Sequence, residues 1–200
     1  MAKAKSKIPK DMPLTQLIQD FVDDVQWKDE ISIDTEQKCS SLPFKYGNDD
    51  LSFQVYLEAD EARSWLKISF YNEMTIPEKR YAEACELVNA INQRIGLGRL
   101  SAISKGAFQF RQVVDLEGTG SPTTLVIKNL IGAAMDVFST WSEELGAVIF
   151  TKMSAKEILA ALDNGQPLDS SGVPDELKPR CNFQLSKLGL STLESYPVGT

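Results

Sequence analysis

The chain has 200 residues, 42% of them hydrophobic and 24% charged, with a formal net charge of −7 and a sequence pI near 4.8. That composition supports one hydrophobic core without metal or disulfide help and excludes wholesale disorder. The acidic balance excludes nucleic acid as the main partner, since phosphate binding needs Lys and Arg clustered on one face, and no apolar run reaches the ~20 residues that span a membrane.

Lys3, Lys5, Lys7 and Lys10 make a basic N-terminal tail over residues 1–10. No apolar stretch of signal-peptide length follows it, so a solvated segment is expected. Leu14, Leu17, Ile18, Phe21, Val22 and Val25 then recur at helical spacing behind Pro13, which opens a helix without loss of a needed hydrogen bond. From Ile31 to Phe70 the period changes to two. Phe53, Val55 and Leu57 form one strand and Leu66, Ile68 and Phe70 a second, and the short polar link 59–64 makes them an antiparallel hairpin. A further strand is expected between Ile31 and Phe44, interrupted by Pro43 and followed by the turn-like stretch 46–50.

Thr75-Ile76-Pro77-Glu78 matches a capping box and predicts a helix over 77–95, with the stripe Tyr81, Ala84, Cys85, Val88, Ile91 and Ile95 closed by Gly96. Segments 97–104 and 108–117, joined at Lys105-Gly106, read as a second hairpin. Ser121 and Pro122 suit the start of a long helix whose apolar face runs from Ile127 to Leu145. Ser154 and Glu157 form another capping box, before Ile158, Leu159 and Leu162. The domain is expected to span 11–163. The C-terminal tail 164–200, with its Pro, Gly and Ser, also holds Phe183, Leu185, Leu188, Leu190 and Tyr196, enough apolar surface to dock on its own domain or on a partner. This order of elements implies an α+β fold: an antiparallel or mixed sheet of about five strands flanked by helices.

Phe70-Tyr71-Asn72, Ile76-Pro77, the run Val88 to Asn92, Gly98-Arg99-Leu100, Phe108 to Arg111 and Val114 to Gly118 follow in the order and spacing of the YbjN-like proteins. The chain resembles that family of bacterial sensory transduction regulators over about Leu14 to Thr151. The resemblance implies a fold like that of type III secretion chaperones, in proteins that bind other polypeptides and frequently form homodimers. It implies a binding or regulatory module and carries no catalytic motif. The tail beyond Asp163 lies outside it.

The chain has no histidine, which removes Ser-His-Asp and Cys-His catalysis and His-bound zinc. Cys39, Cys85 and Cys181 are an odd number, widely spaced and without a CxxC pair; they fit a reducing compartment, so the cytoplasm is expected. Cys85, on the helix stripe, reads as a packing residue and the other two as inert. Gly96 to Ser101 has part of a dinucleotide fingerprint but follows a helix instead of a strand, so it reads as helix termination, and no cofactor is expected.

Asp115 with Glu117, and Glu58 with Asp60, are two apart near strand ends, which is how paired carboxylates hold a hard cation; being solvated, or meeting Lys and Arg such as Arg99, Lys105 or Arg111, is the commoner arrangement. Trp65, Phe138 and Trp141 are candidates for an exposed aromatic patch that binds a polypeptide or a second copy of the chain, although their phase favours the core. The leading reading is a non-enzymatic, chaperone-like or regulatory protein-binding module with neither membrane nor nucleic acid as partner. The alternatives are a metal-dependent or carboxylate hydrolase, and an adaptor whose tail carries the interaction.

Overall fold

The computed structural model describes residues 8–47, 52–104, 106–168 and 172. Lys3, Lys5, Lys7, Lys105, Cys181 and the apolar residues of the tail from Phe183 to Tyr196 lie outside the described residues.

Pro13 opens α1, Pro13–Asp24, and the helix buries Leu14, Leu17, Ile18, Phe21 and Val22. Met12 at its N-cap supplies no side-chain cap. The carboxylate of Glu61, 46 residues from Thr15, does so instead. The backbone N–H groups of Leu14 and Thr15 donate to it over 3.1 and 2.7 Å, and the Thr15 hydroxyl lies 2.9 Å from the same carboxylate. Free N–H groups at a helix start attract an anion, so a long-range carboxylate serves as well as a local Ser or Asp.

The sheet has six strands in the order β1-β2-β3-β4-β6-β5, every neighbouring pair antiparallel. They are β1 (Ser32–Asp34), β2 (Cys39–Gly47), β3 (Ser52–Asp60), β4 (Trp65–Asn72), β5 (Arg99–Ala102) and β6 (Phe108–Asp115). The hairpins expected at 53–70 and 97–117 form as β3–β4 and β5–β6. The strand expected between Ile31 and Phe44 is two strands, which raises the count to six. Pro43 lies inside β2 rather than ending it, because β1 reaches only as far as Ser41 and leaves Pro43 at a sheet edge, where its missing N–H costs no ladder bond.

Alternation sorts the strands into two faces. Inward point Leu42 and Phe44, then Phe53, Val55, Leu57 and Ala59, then Leu66, Ile68 and Phe70, then Phe108 and Phe110, all buried. The row Phe44, Val55, Phe70, Phe110 and Leu100 crosses five strands in register. Helix α1 covers β2 and β3, and α3 (Thr124–Thr140) covers β4 and β6. Helices α2 (Tyr81–Asn92), α4 (Ser142–Phe150) and α5 (Ala155–Asp163) pack on one another beside β5. Arg80 donates to the Val148 carbonyl at 2.7 Å and to that of Met153, Glu83 accepts the Ala155 N–H at 2.6 Å, and Arg94 pairs with Asp163 at 2.6 Å.

Two helix expectations are corrected. The capping box at Thr75 does not form, and α2 begins at Tyr81 after a 3₁₀ turn over Glu78–Arg80, ending at Asn92. Ile76 is buried and gives its N–H to the Gly106 carbonyl at 2.8 Å, so the segment before the helix is held extended, with Pro77 at ψ 141°. The long helix starts at Thr124, not at Ser121 or Pro122, and breaks at Trp141 into α3 and α4. The break falls in the polar stretch Ser139 to Ser142, where the Ser142 hydroxyl donates to the Ser139 carbonyl. The Ser154–Glu157 capping box forms in both directions.

At the far edge of the sheet the Asn92 side-chain amide accepts the Leu100 N–H at 2.8 Å and donates to the Leu100 carbonyl at 2.9 Å. Gly98 stands beside it at φ +70°, and a Cβ there would lie 2.2 Å from the Phe110 ring.

Candidate functional site

Among the described residues no helix covers the outward face of the sheet. Tyr56, Trp65 and Val113 are 37%, 42% and 43% exposed, large values for such side chains within strands. The register places the outward residues in rows across the strands. The first is Asp34, Cys39, Asp60, Trp65 and Asp115, and the second Ser32, Ser41, Glu58, Lys67 and Val113. The third is Pro43, Tyr56, Ser69, Arg111 and Arg99, and the fourth Lys45, Gln54, Tyr71, Gln109 and Ser101. A shallow hollow of about 330 Å³ lies among Glu58, Asp60, Trp65, Lys67, Arg111 and Val113.

Polar contacts order this face. Lys67 pairs with Glu58 at 2.7 Å and Arg63 with Asp60 at 2.6 Å. The Arg63 guanidinium also sits 5.6 Å from the centre of the Trp65 ring. Gln109 donates to the Tyr71 hydroxyl at 2.6 Å, and Tyr56 and Tyr71 meet edge to face at 5.8 Å. Such pairs fix side-chain positions while contributing little stability at an exposed surface.

The candidate carboxylates are brought to this face without forming a cation site. Glu58 and Asp60 are matched by Lys67 and Arg63 rather than by Arg99 or Arg111. Asp115 accepts the Glu117 N–H at 2.9 Å, a local turn contact. Among the described residues no group of three or more Cys, Asp and Glu is placed to hold a metal ion. The contact with Arg63 holds the Asp60 carboxyl below the usual carboxylate range, so the pair persists into mild acid. Burial, and then the charges of Asp34, Asp60 and Glu58, push the Cys39 thiol up, which disfavours a nucleophilic thiolate. Cys85 is half-buried rather than fully packed; like Cys39 it is a free thiol.

The three aromatic candidates separate. Trp65 is on the open face, whereas Phe138 and Trp141 are 3% and 8% exposed and belong to the core, Phe138 packing at 4.9 Å against Phe53. The core placement that phase favoured holds for Phe138 and Trp141, on and after α3, and not for Trp65, so the three do not form the candidate patch. Sequence reasoning missed Tyr56, Tyr71, Arg111 and Val113. Their alternation with Phe53, Val55, Phe70, Phe108 and Phe110 was the available signal, since outward residues of an amphipathic strand are ordinarily polar.

A larger hollow of about 1020 Å³ lies between the lead-in to α1, the β3–β4 turn and the 116–122 loop. Its three carboxylates are engaged: Glu61 at the helix start, Asp11 with Lys38, and Asp20 with the Gln16 side chain. Glu144, on α4, is 7% exposed, and its Oε2 has no protein partner among the described residues. Burial, with a smaller contribution from Glu143, pushes its carboxyl above the ordinary Glu range, against the opposing pull of its own backbone N–H and of Arg94. A raised folded-state pKa means that the native state holds the proton more tightly than the unfolded chain. Stability is then fully present below the unfolded value of about 4.3 and is lost as the pH rises through the folded one. Glu144→Gln is expected to raise the urea midpoint at pH 7, and the advantage should close as the pH falls toward 4. An equal advantage at both pH values would show that charge is not the cause.

The described residues thus form an α+β domain whose antiparallel sheet they cover with helices on one face and leave open on the other. The sequence pattern of the YbjN family, described as "Putative bacterial sensory transduction regulator", matches residues 15–147, and the chain belongs to that family. No curated protein matches the chain. Two solved structures are similar to it. A chain of the HopA1-SchA chaperone-effector complex is 17% identical over 68% of this chain and 98% of its own, with a TM-score of 0.47. A chain of the ExsC-ExsE complex is 15% identical over 69% and 97%, with a TM-score of 0.46. Among the described residues no helix is long and apolar enough to cross a membrane.

Proposed function

We propose that this protein is a non-enzymatic regulatory module, chaperone-like in action, that binds a polypeptide partner in the cytoplasm. The observation that carries the reading is the open sheet face. It offers Trp65, Tyr56, Tyr71 and Val113 among fixed charges, the mixture of aromatic anchors and polar rim that protein interfaces use. Membership of a family of regulators supports it. The free thiols Cys39 and Cys85 fit a reducing compartment. Two of the carboxylates on the face, Glu58 and Asp60, are already paired with Lys67 and Arg63, an arrangement suited to a fixed surface rather than to proton transfer.

The test is affinity capture on the full chain, identification of the bound polypeptide, and reconstitution from the two purified proteins with mass measured by light scattering. A complex saturating at a fixed ratio is expected. Failure to reconstitute, or turnover of a small molecule, would overturn the reading. The same measurement on the chain alone tests homodimerisation, through a mass near twice 22.2 kDa.

A further inference from the structure

The open face carries opposite charge at its two ends. Its first row holds Asp34, Asp60 and Asp115 around Trp65, and two rows on, Arg111 and Arg99 stand opposite one another. Along β6 alone the outward residues run Asp115, Val113, Arg111: acid, apolar, base. The acid end is a site where a cation already fits, because Arg63 lies over the Trp65 ring and against Asp60. Asp115 accepts one backbone N–H there, and no ion pair engages it, Arg99 or Arg111 among the described residues. Two of these carboxylates, Asp34 and Asp60, join burial and Glu58 in pushing up the Cys39 thiol.

An extended chain also presents alternate side chains to one side, and its positions i and i+4 are about 13 Å apart, the same separation as Asp115 and Arg111 on their strand. Resting on the reading of the protein as a polypeptide binder, we infer that the open face selects an extended segment with a basic, an apolar and an acidic side chain at alternate positions. The basic group meets Trp65 and Asp115, the apolar one Val113, and the acidic one Arg111 and Arg99. Charge complementarity sets the order, and the exposed apolar residue between the charges sets the middle position.

The experiment is selection of a displayed random-peptide library on the full chain, repeated with Arg111→Glu and Trp65→Ala. Both residues are exposed, so circular dichroism and urea midpoints should match the parent. Enrichment of the basic–apolar–acidic pattern, in either chain direction, is expected. Arg111→Glu should convert the acidic preference to a basic one, and Trp65→Ala should weaken an enriched peptide about tenfold by fluorescence anisotropy. Enriched peptides that lack the pattern, or that are indifferent to both substitutions, would overturn the assignment while leaving polypeptide binding intact. No enrichment at all would count against both.

Discussion

Phe70→Ala is expected to destabilise the protein by about 3–5 kcal/mol, the usual cost of emptying a buried phenylalanine site. Phe70 has no exposed surface and sits mid-row in the sheet, with Val55 and Phe110 as cross-strand neighbours. Its ring meets those of Phe53 at 5.7 Å and Tyr46 at 6.1 Å, both edge to face. A backbone ladder on each side keeps β4 from collapsing into the void, so the cavity term should survive relaxation. Against a total stability of order 5–15 kcal/mol, the loss should move the urea midpoint far enough to leave a measurable unfolded fraction in buffer. A shift worth less than about 1 kcal/mol would mean that the row is loosely packed.

Glu61→Ala should cost about 2–3 kcal/mol, more than most exposed turn substitutions, because it strips the start of α1 of its acceptor. The Leu14 and Thr15 N–H groups lose their partner together, and the buried Thr15 hydroxyl, 2.9 Å from Ser40, loses part of its network. Amide exchange at Leu14 and Thr15 should accelerate more than exchange across β4. Glu61→Gln, which keeps an acceptor oxygen and gives up the charge, should fall between the two. Equal behaviour of Gln and Ala would indicate that charge, not geometry, holds the helix start.

Much of the fold was legible because local periods agreed with tertiary placement. The stripe Leu14 to Val22 could form only one helical face, and the alternation at 53–57 and 66–70 only one register-compatible hairpin. Three features were not legible, each decided by distant residues. Thr75 and Glu78 carry a valid capping pattern, yet the Gly106 carbonyl holds Ile76 extended. Met12 has no capping side chain, and its helix is capped from residue 61. Pro43 breaks the strand pattern but falls where the neighbouring strand has already ended. The site was half legible: helical phase favoured the core for Phe138 and Trp141, which are buried, but strand phase favoured it for Trp65 too, which is exposed, and one strand could not show that Asp60, Trp65 and Asp115 form a row. The residues that carry the family resemblance include fold fasteners. Asn72 accepts the Phe108 N–H at 2.9 Å, Asn92 holds Leu100, and Gly98 makes room for Phe110.

The Asn92 amide occupies the backbone donor and acceptor of Leu100 that would otherwise face outward from the last strand. An uncovered strand margin invites another chain to continue the ladder, which is how sheets grow into aggregates. Here the four-residue β5 is stoppered at its centre by a side chain from its own helix, while the opposite margin is shortened to the three residues of β1 and interrupted by Pro43. The sheet is thereby self-limiting at both margins, and further strands are barred from extending it even where its described aromatic face is uncovered.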